Sequence, residues 1–146
     1  MTKLDLEILK DRLLRLKENY DLLFSLKSLS KDEFLSDPKN QRTIIHALQW
    51  AIEACIDIGN HIISRNSWGI PKDYAEIFQI LGGKNVIPKE FAGELTKMAR
   101  FRNRIVHLYW KVDWEEVYKI FQDKLEDLKV FKEQIEKFIL KKKDLS

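Results

Sequence analysis

The sequence has few of the residues that interrupt helices or cross-link chains. Its 146 residues include only five glycines, three prolines and a single cysteine, Cys55. One cysteine excludes an internal disulfide and a cysteine-rich zinc site. The first ten residues, MTKLDLEILK, carry a charge every few positions, which is typical of neither a signal peptide nor a membrane span. We therefore expect a cytoplasmic protein.

Neither sign of charge dominates the chain. Lys and Arg outnumber Asp and Glu by 26 to 23, so the net charge of +3 permits an acidic partner such as RNA without requiring one. A hydrophobic content of 45% and a charged content of 34% are typical of a soluble protein rich in helix. The length predicts one domain, residues 1–146, with a core of its own.

Apolar residues recur at intervals of three and four, with almost no strand pattern. This spacing predicts an all-α, antiparallel bundle of four main helices plus one or two short helices. The main helices are expected at about 3–29, 38–64, 88–110 and 113–142, and the short ones at about 30–37 and 72–81. The long helices carry apolar residues over wide arcs, which favours a dimer.

Three pairs of residues indicate where helices begin. Ser30 with Glu33, and Asp113 with Glu116, have the spacing of a capping box. Asp37 followed by a proline combines an N-cap acceptor with a residue whose fixed φ suits the first helical position.

The stretch FRNRIVHLYW, residues 101–110, concentrates hydrogen-bonding side chains on one predicted helix. At about 100° per residue, Arg102, Asn103, His107 and Tyr109 share a broad arc. A histidine can transfer a proton near neutral pH, and an arginine binds phosphate through two donors. Cleavage of an RNA strand needs these two functions and no metal or other cofactor.

A purely structural interpretation of the same stretch stays open on residue types alone. Arginine, asparagine and histidine are common near the C-terminal end of a solvent-facing helix, because cations there suit the helix dipole. On this interpretation Tyr109 and Trp110 would pack beneath the following turn.

The segment RNRIVHLY, Arg102–Tyr109, resembles the arginine–four residues–histidine–any–tyrosine signature of the HEPN superfamily, and its RN…H.Y form is similar to the HepT family. The surrounding segments ALQWAIEACIDIGNHII, PKDYAEIFQILGGKNVIP and VDWEEVYKIFQDKLEDLKVF look like that family too, from about Ile44 to Phe131. The resemblance implies an all-α, metal-independent ribonuclease toxin that forms a homodimer with both motifs facing one cleft. It also implies an antitoxin, a nucleotidyltransferase of the MNT type, that transfers AMP onto the motif tyrosine.

The resemblance also implies a role for each motif residue. Arg102 would grip the scissile phosphate, His107 would act as general base or acid, and Asn103 would orient the histidine or the substrate. Tyr109 would lie near the scissile site and accept AMP. Arg104 points elsewhere on the helix and would contact RNA or remain on the surface.

Two further candidates lie outside these roles. Trp110 adjoins the motif and offers an indole on which an RNA base can stack. On the second long helix, Asp57 and His61 are four residues apart, but a third metal ligand is lacking nearby, so we expect no metal site. The resemblance instead implies that this helix lines the cleft, where Asp57 would polarise His107 or position Arg102.

A different class of function remains possible from the sequence. The chain could be a non-catalytic helical partner that binds a nucleotidyltransferase or a nucleotide, or a family member that has lost its activity. Arg102, His107 and Tyr109 are all present, which favours the enzyme, because a binding module needs no titrating group at that position.

Overall fold

The computed structural model describes residues 4–144, and within them every regular element is a helix. Seven α-helices follow one another: α1 Leu6–Ser25, α2 Lys31–Ser36, α3 Pro38–Arg65, α4 Tyr74–Gly83, α5 Lys89–His107, α6 Trp114–Asp123 and α7 Leu125–Asp144. A 3₁₀ turn, Tyr109–Lys111, lies between α5 and α6. The predicted all-α fold, with its four long helices, is confirmed.

The predicted helix starts follow from local capping. Ser30 and Glu33 form the reciprocal capping box at the start of α2. The Asp37 side chain accepts a hydrogen bond from the backbone N–H of Lys39, and Pro38 is the first residue of α3. The Asp113 side chain accepts from the backbone N–H groups of Glu115 and Glu116 at the start of α6.

Helices α1 and α3 form the largest helix pair and run antiparallel. The backbone N–H of Asp5, just before α1, donates to His61 near the end of α3. Arg12, later in α1, forms an ion pair with Asp57, which lies one turn before His61 in α3. The contact on α3 therefore moves toward its start as the contact on α1 moves toward its end, so the two helices run in opposite directions.

Helix α4 packs closely on both of its neighbours. A Cβ atom at Gly59 of α3 would lie 2.5 Å from Cγ2 of Ile77, and one at Gly82 of α4 would lie 2.8 Å from Cβ of Ala92. The two glycines therefore allow α4 to approach α3 and α5 more closely than larger residues would. One continuous apolar core results, and its largest fully buried side chains are Phe34, Phe78, Phe101, Phe121 and Phe131.

Several predicted boundaries differ from the structure. The first helix ends at Ser25 rather than about Leu29. The second short helix runs from Tyr74 to Gly83 rather than from about 72 to 81, and a left-handed residue, Asn85 with φ 61°, follows it. The predicted last helix is divided at Lys124, so that α6 packs on α2 while α7 packs on α1.

No helix within residues 4–144 is long and apolar enough to cross a bilayer.

Candidate active site

The C-terminal half of α5 carries the polar motif on an apolar anchor. Phe101 and Ile105 are four residues apart and both are buried, so they fix this part of the helix against the core. Arg102 and Asn103 follow Phe101 directly and lie at the boundary between core and solvent. Buried apolar residues of the motif therefore anchor α5 to the core, and polar residues between them extend toward solvent.

Three neighbouring groups restrain Arg102. Its Nε and Nη2 atoms donate to the same oxygen, Oε1 of Glu53 on α3, at 3.1 and 2.7 Å. Its Nη1 donates to Oδ1 of Asn103 at 3.3 Å. The Tyr74 ring of α4 faces the guanidinium, with 5.1 Å between its centroid and Cζ, a cation–π distance. As a result only 15% of the Arg102 side chain is exposed.

His107 is the last residue of α5 and is exposed to solvent. It lies four residues after Asn103, so the two side chains are neighbours on one helical face, as the sequence predicts.

Tyr109 does not lie on the helix. Helical spacing predicts that Tyr109 lies in register with Arg102, but Leu108 leaves the helical conformation, with φ −124° and ψ 38°, and Tyr109 starts the 3₁₀ turn. Its side chain is 72% exposed, and that of Trp110 is 63% exposed. The two rings meet edge to face, with centroids 5.3 Å apart. The alternative expectation, that both residues pack beneath the turn, is therefore wrong.

Arg104 lies on the side of α5 that faces α6. Its Nη2 donates to Oε1 of Glu116 at 2.9 Å, and its guanidinium lies over the Phe101 ring. It borders a groove of about 320 Å³ between α5 and α6, with Arg100 and Lys97 on the same rim. Arg104 and Arg102 thus face different neighbours, as the sequence predicts.

Asp57 is not the carboxylate beside Arg102. It forms an ion pair with Arg12 of α1, 3.4 Å from its Nε, while Glu53, one turn earlier on α3, takes the contact with Arg102. Four residues of helix shift a side chain by about 6 Å along the axis, enough to exchange one partner helix for another. Sequence reasoning missed Glu53. A signal exists in the polar row Gln49, Glu53 and Asp57 along α3, but spacing alone does not say which member meets α5.

His61 has a hydrogen-bonding partner at the start of α1. Its Nε2 accepts a hydrogen bond from the backbone N–H of Asp5 at 3.1 Å. Partial burial, reinforced by the nearby positive charge of Arg65, lowers the pKa of His61 below the ordinary value of 6.5. Across residues 4–144 no three His, Cys, Asp or Glu side chains gather in a way that would hold a metal ion.

Solved structures of toxins share this architecture. One is a toxin–antitoxin complex with AMP-PNP, with a TM-score of 0.82 and 29% identity over 89% of this chain and 98% of that one. Another is a tri-AMPylated HEPN toxin of Shewanella oneidensis in complex with an MNT antitoxin, with a TM-score of 0.80 and 30% identity over 88% and 96% of the two chains. The fold is therefore that of the HEPN toxins.

Sequence comparison narrows this class to one family. The model for ribonuclease HepT-like proteins matches residues 10–135. An mRNA nuclease HepT of Shewanella oneidensis is 36% identical over 68% of this chain and 74% of its own length. A tRNA nuclease HepT of Aphanizomenon flos-aquae is 28% identical over 96% of this chain and 95% of its own. The chain belongs to the HepT-like family.

Proposed function

We propose that this protein is a metal-independent endoribonuclease toxin, neutralised by an MNT-type nucleotidyltransferase that transfers AMP onto Tyr109. One observation carries the proposal: a restrained arginine, Arg102, and an exposed histidine, His107, lie within five residues on one helix end. A phosphate ligand and a group that can transfer a proton are what cleavage next to a 2′-hydroxyl needs. The nuclease relatives and the antitoxin complexes of similar toxins support the same activity.

The chemistry follows from these two side chains. His107 takes the proton from the 2′-hydroxyl, and the freed oxygen attacks phosphorus as the bond to the 5′-oxygen breaks. Arg102 stabilises the negative charge that builds on the non-bridging oxygens. In a homodimer with facing motifs, a second imidazole would give the leaving 5′-oxygen its proton. The products are a 2′,3′-cyclic phosphate and a 5′-hydroxyl, and the route assigns no step to a metal ion.

The homodimer is supported by apolar side chains that this chain alone leaves in water. Leu14, Leu22 and Phe24 of α1 and Trp50 of α3 are all exposed, and Leu22 and Trp50 border the same groove between the two helices. Covering such a surface is favourable at about 25 cal/mol per Å² of apolar area. An enzyme that cuts cellular RNA must meet it, so the proposal places the protein in the cytoplasm.

The residues around the motif would complete the site. Tyr109 projects into solvent, where an antitoxin can reach its hydroxyl, and AMP there would add bulk and a negative phosphate near Arg102. Trp110 offers its indole to a base of the RNA. Arg104 would contact the RNA backbone by exchanging its ion pair with Glu116 for a phosphate.

The test is cleavage of RNA by the purified protein, free of its antitoxin and in the presence of a chelator. His107→Ala should abolish cleavage, and because His107 is exposed the variant should keep the wild-type melting temperature. His46→Ala removes another exposed histidine, on α3, and should cleave normally. Equal cleavage by wild type and His107→Ala would reject the assignment of His107. No cleavage by any of the three, with or without added divalent ions, would favour the non-catalytic binding partner.

A further inference from the structure

We propose that Glu53 is a positioning residue: it orients the guanidinium of Arg102 so that the remaining donors face the scissile phosphate. The inference rests on the proposed ribonuclease function. It concerns a residue of α3 that lies 49 positions from Arg102 in the sequence and becomes its neighbour only in the folded chain.

The contact has the geometry of an orienting clamp. Both Nε and Nη2, which form one edge of the guanidinium plane, donate to Oε1 of Glu53. Two bonds to one edge fix the rotation of the planar group, which a single bond would leave open. The pair is largely sheltered, with 15% of the Arg102 side chain and 33% of the Glu53 side chain exposed, so solvent weakens it less than an ordinary surface pair.

The clamp is itself held in place. Nε2 of Gln49, one turn earlier on α3, donates to the same Oε1 of Glu53 at 3.1 Å. The Tyr74 ring covers one face of the guanidinium, and Asn103 accepts from Nη1. Residues of three helices, α3, α4 and α5, thus meet at one arginine. Because one edge and one face of the guanidinium are already restrained, the Arg102 side chain loses little conformational entropy when a substrate binds.

The donors that remain suit a phosphate. A guanidinium has five N–H groups, and the bonds to Glu53 and Asn103 use one each on Nε, Nη2 and Nη1. One N–H is left on Nη1 and one on Nη2. Donors on these two terminal nitrogens remain for the oxygens of a phosphate group, which arginine binds through charge-assisted hydrogen bonds. Glu53 therefore occupies the edge that the substrate does not need.

The carboxylate also has an opposing effect, and this makes the role testable. A negative charge beside Arg102 repels an incoming phosphate, so removing it should favour substrate binding. Removing it also frees the guanidinium to rotate, which lowers stabilisation of the transition state. A positioning role therefore predicts that kcat and KM both fall. Loss of folded protein would lower kcat without lowering KM.

The kinetic experiment compares Glu53→Gln with Glu94→Gln. Glu94 is a matched control, because its side chain is similarly exposed, at 35%, and pairs with Lys124 rather than with a motif residue. For Glu53→Gln we expect a kcat about tenfold lower together with a lower KM, since small misplacements of a catalytic group cost up to about 100-fold. Glu94→Gln should match the wild type. A kcat for Glu53→Gln equal to or above that of the wild type would overturn the proposal.

A double-mutant cycle tests whether Glu53 acts through Arg102. Arg102→Lys keeps the charge but loses the planar fork, so it should leave residual cleavage. If Glu53 positions Arg102, adding Glu53→Gln to Arg102→Lys should lower kcat by less than twofold further. A full additional tenfold loss would mean that Glu53 acts independently of Arg102, and would reject the positioning role.

A measurement without RNA separates this inference from the proposed function. In a ¹H–¹⁵N spectrum of the arginine Nε groups, a clamped Arg102 should give a resolved signal, assigned by its absence in Arg102→Lys. We expect that signal to shift or disappear in Glu53→Ala and to stay in Glu94→Gln. An unchanged signal in Glu53→Ala would reject the clamp even if the enzyme cleaves RNA. If the wild type fails to cleave RNA, the ribonuclease proposal fails while the spectrum still reports on the clamp.

Discussion

The Nε2 atom of His61, near the end of α3, accepts a hydrogen bond of 3.1 Å from the backbone N–H of Asp5, just before α1. The bond joins residues 56 positions apart and fastens the start of the chain to the longest helix. It requires an unprotonated Nε2, in agreement with a His61 pKa lowered by burial and by Arg65.

This bond predicts a dependence of stability on pH. Because the folded pKa of His61 lies below 6.5, the unfolded chain binds more protons just below that pH, and the free energy of unfolding falls as the pH decreases. The contribution is complete above about pH 6.5 and is lost toward the folded pKa. Urea unfolding of the wild type and His61→Gln at several pH values checks this. The variant should lose this part of the pH dependence, whereas His46→Gln, which leaves the bond intact, should keep it.

The close packing of α3 on α4 predicts that Gly59→Ala destabilises the protein. The added methyl would lie 2.5 Å from Cγ2 of the buried Ile77, and overpacking of this kind costs about 1–3 kcal/mol. The higher helix propensity of alanine relative to glycine offsets about 1 kcal/mol of this cost. We expect a net loss of about 1 kcal/mol and a melting temperature lower by about 2–4 °C. Gly83→Ala has open space around its Cβ and should melt at or above the wild-type temperature.

Tyr109→Phe should prevent modification by the nucleotidyltransferase, because it removes the hydroxyl that would accept AMP. Mass spectrometry of the protein after co-expression with that partner measures the addition directly. Tyr118→Phe is the control, since the Tyr118 hydroxyl already donates to the backbone oxygen of Leu29 at 2.7 Å and is partly buried. The control should still gain AMP. Added AMP on Tyr109→Phe would contradict the assignment of the modified residue.

Trp110→Ala should weaken RNA binding with little effect on stability. The indole is 63% exposed, so its removal leaves no cavity in the core. Stacking of a base on an aromatic ring contributes about 1–3 kcal/mol, which corresponds to an increase in Kd of about five- to 150-fold. Fluorescence anisotropy with a 2′-deoxy oligonucleotide, which cannot be cleaved, gives the Kd. Trp110→Phe should bind almost as the wild type does, and equal Kd values for all three proteins would exclude stacking on Trp110.

Local rules account for the parts of the fold that were predicted correctly. Ser30, Asp37 and Asp113 start their helices through bonds to residues two or three positions away, so neighbouring sequence is sufficient to place them. The boundary at Lys124 differs because it depends on packing between distant segments: α6 contacts α2 and α7 contacts α1, while both contact α3. A helical period runs through both segments and gives no sign of this division.

The same distinction applies to the site. By itself the sequence determined that Arg102, Asn103 and His107 share the end of one helix, because helical spacing places residues four apart side by side. Only the tertiary structure decided that Glu53 rather than Asp57 meets Arg102, and that the helix ends before Tyr109. The pairing of Glu53 with Arg102 depends on contacts between segments far apart in the chain, where a shift of one helical turn changes the partner of a side chain. The helix end follows from the backbone conformation of Leu108, which helical periodicity does not reveal.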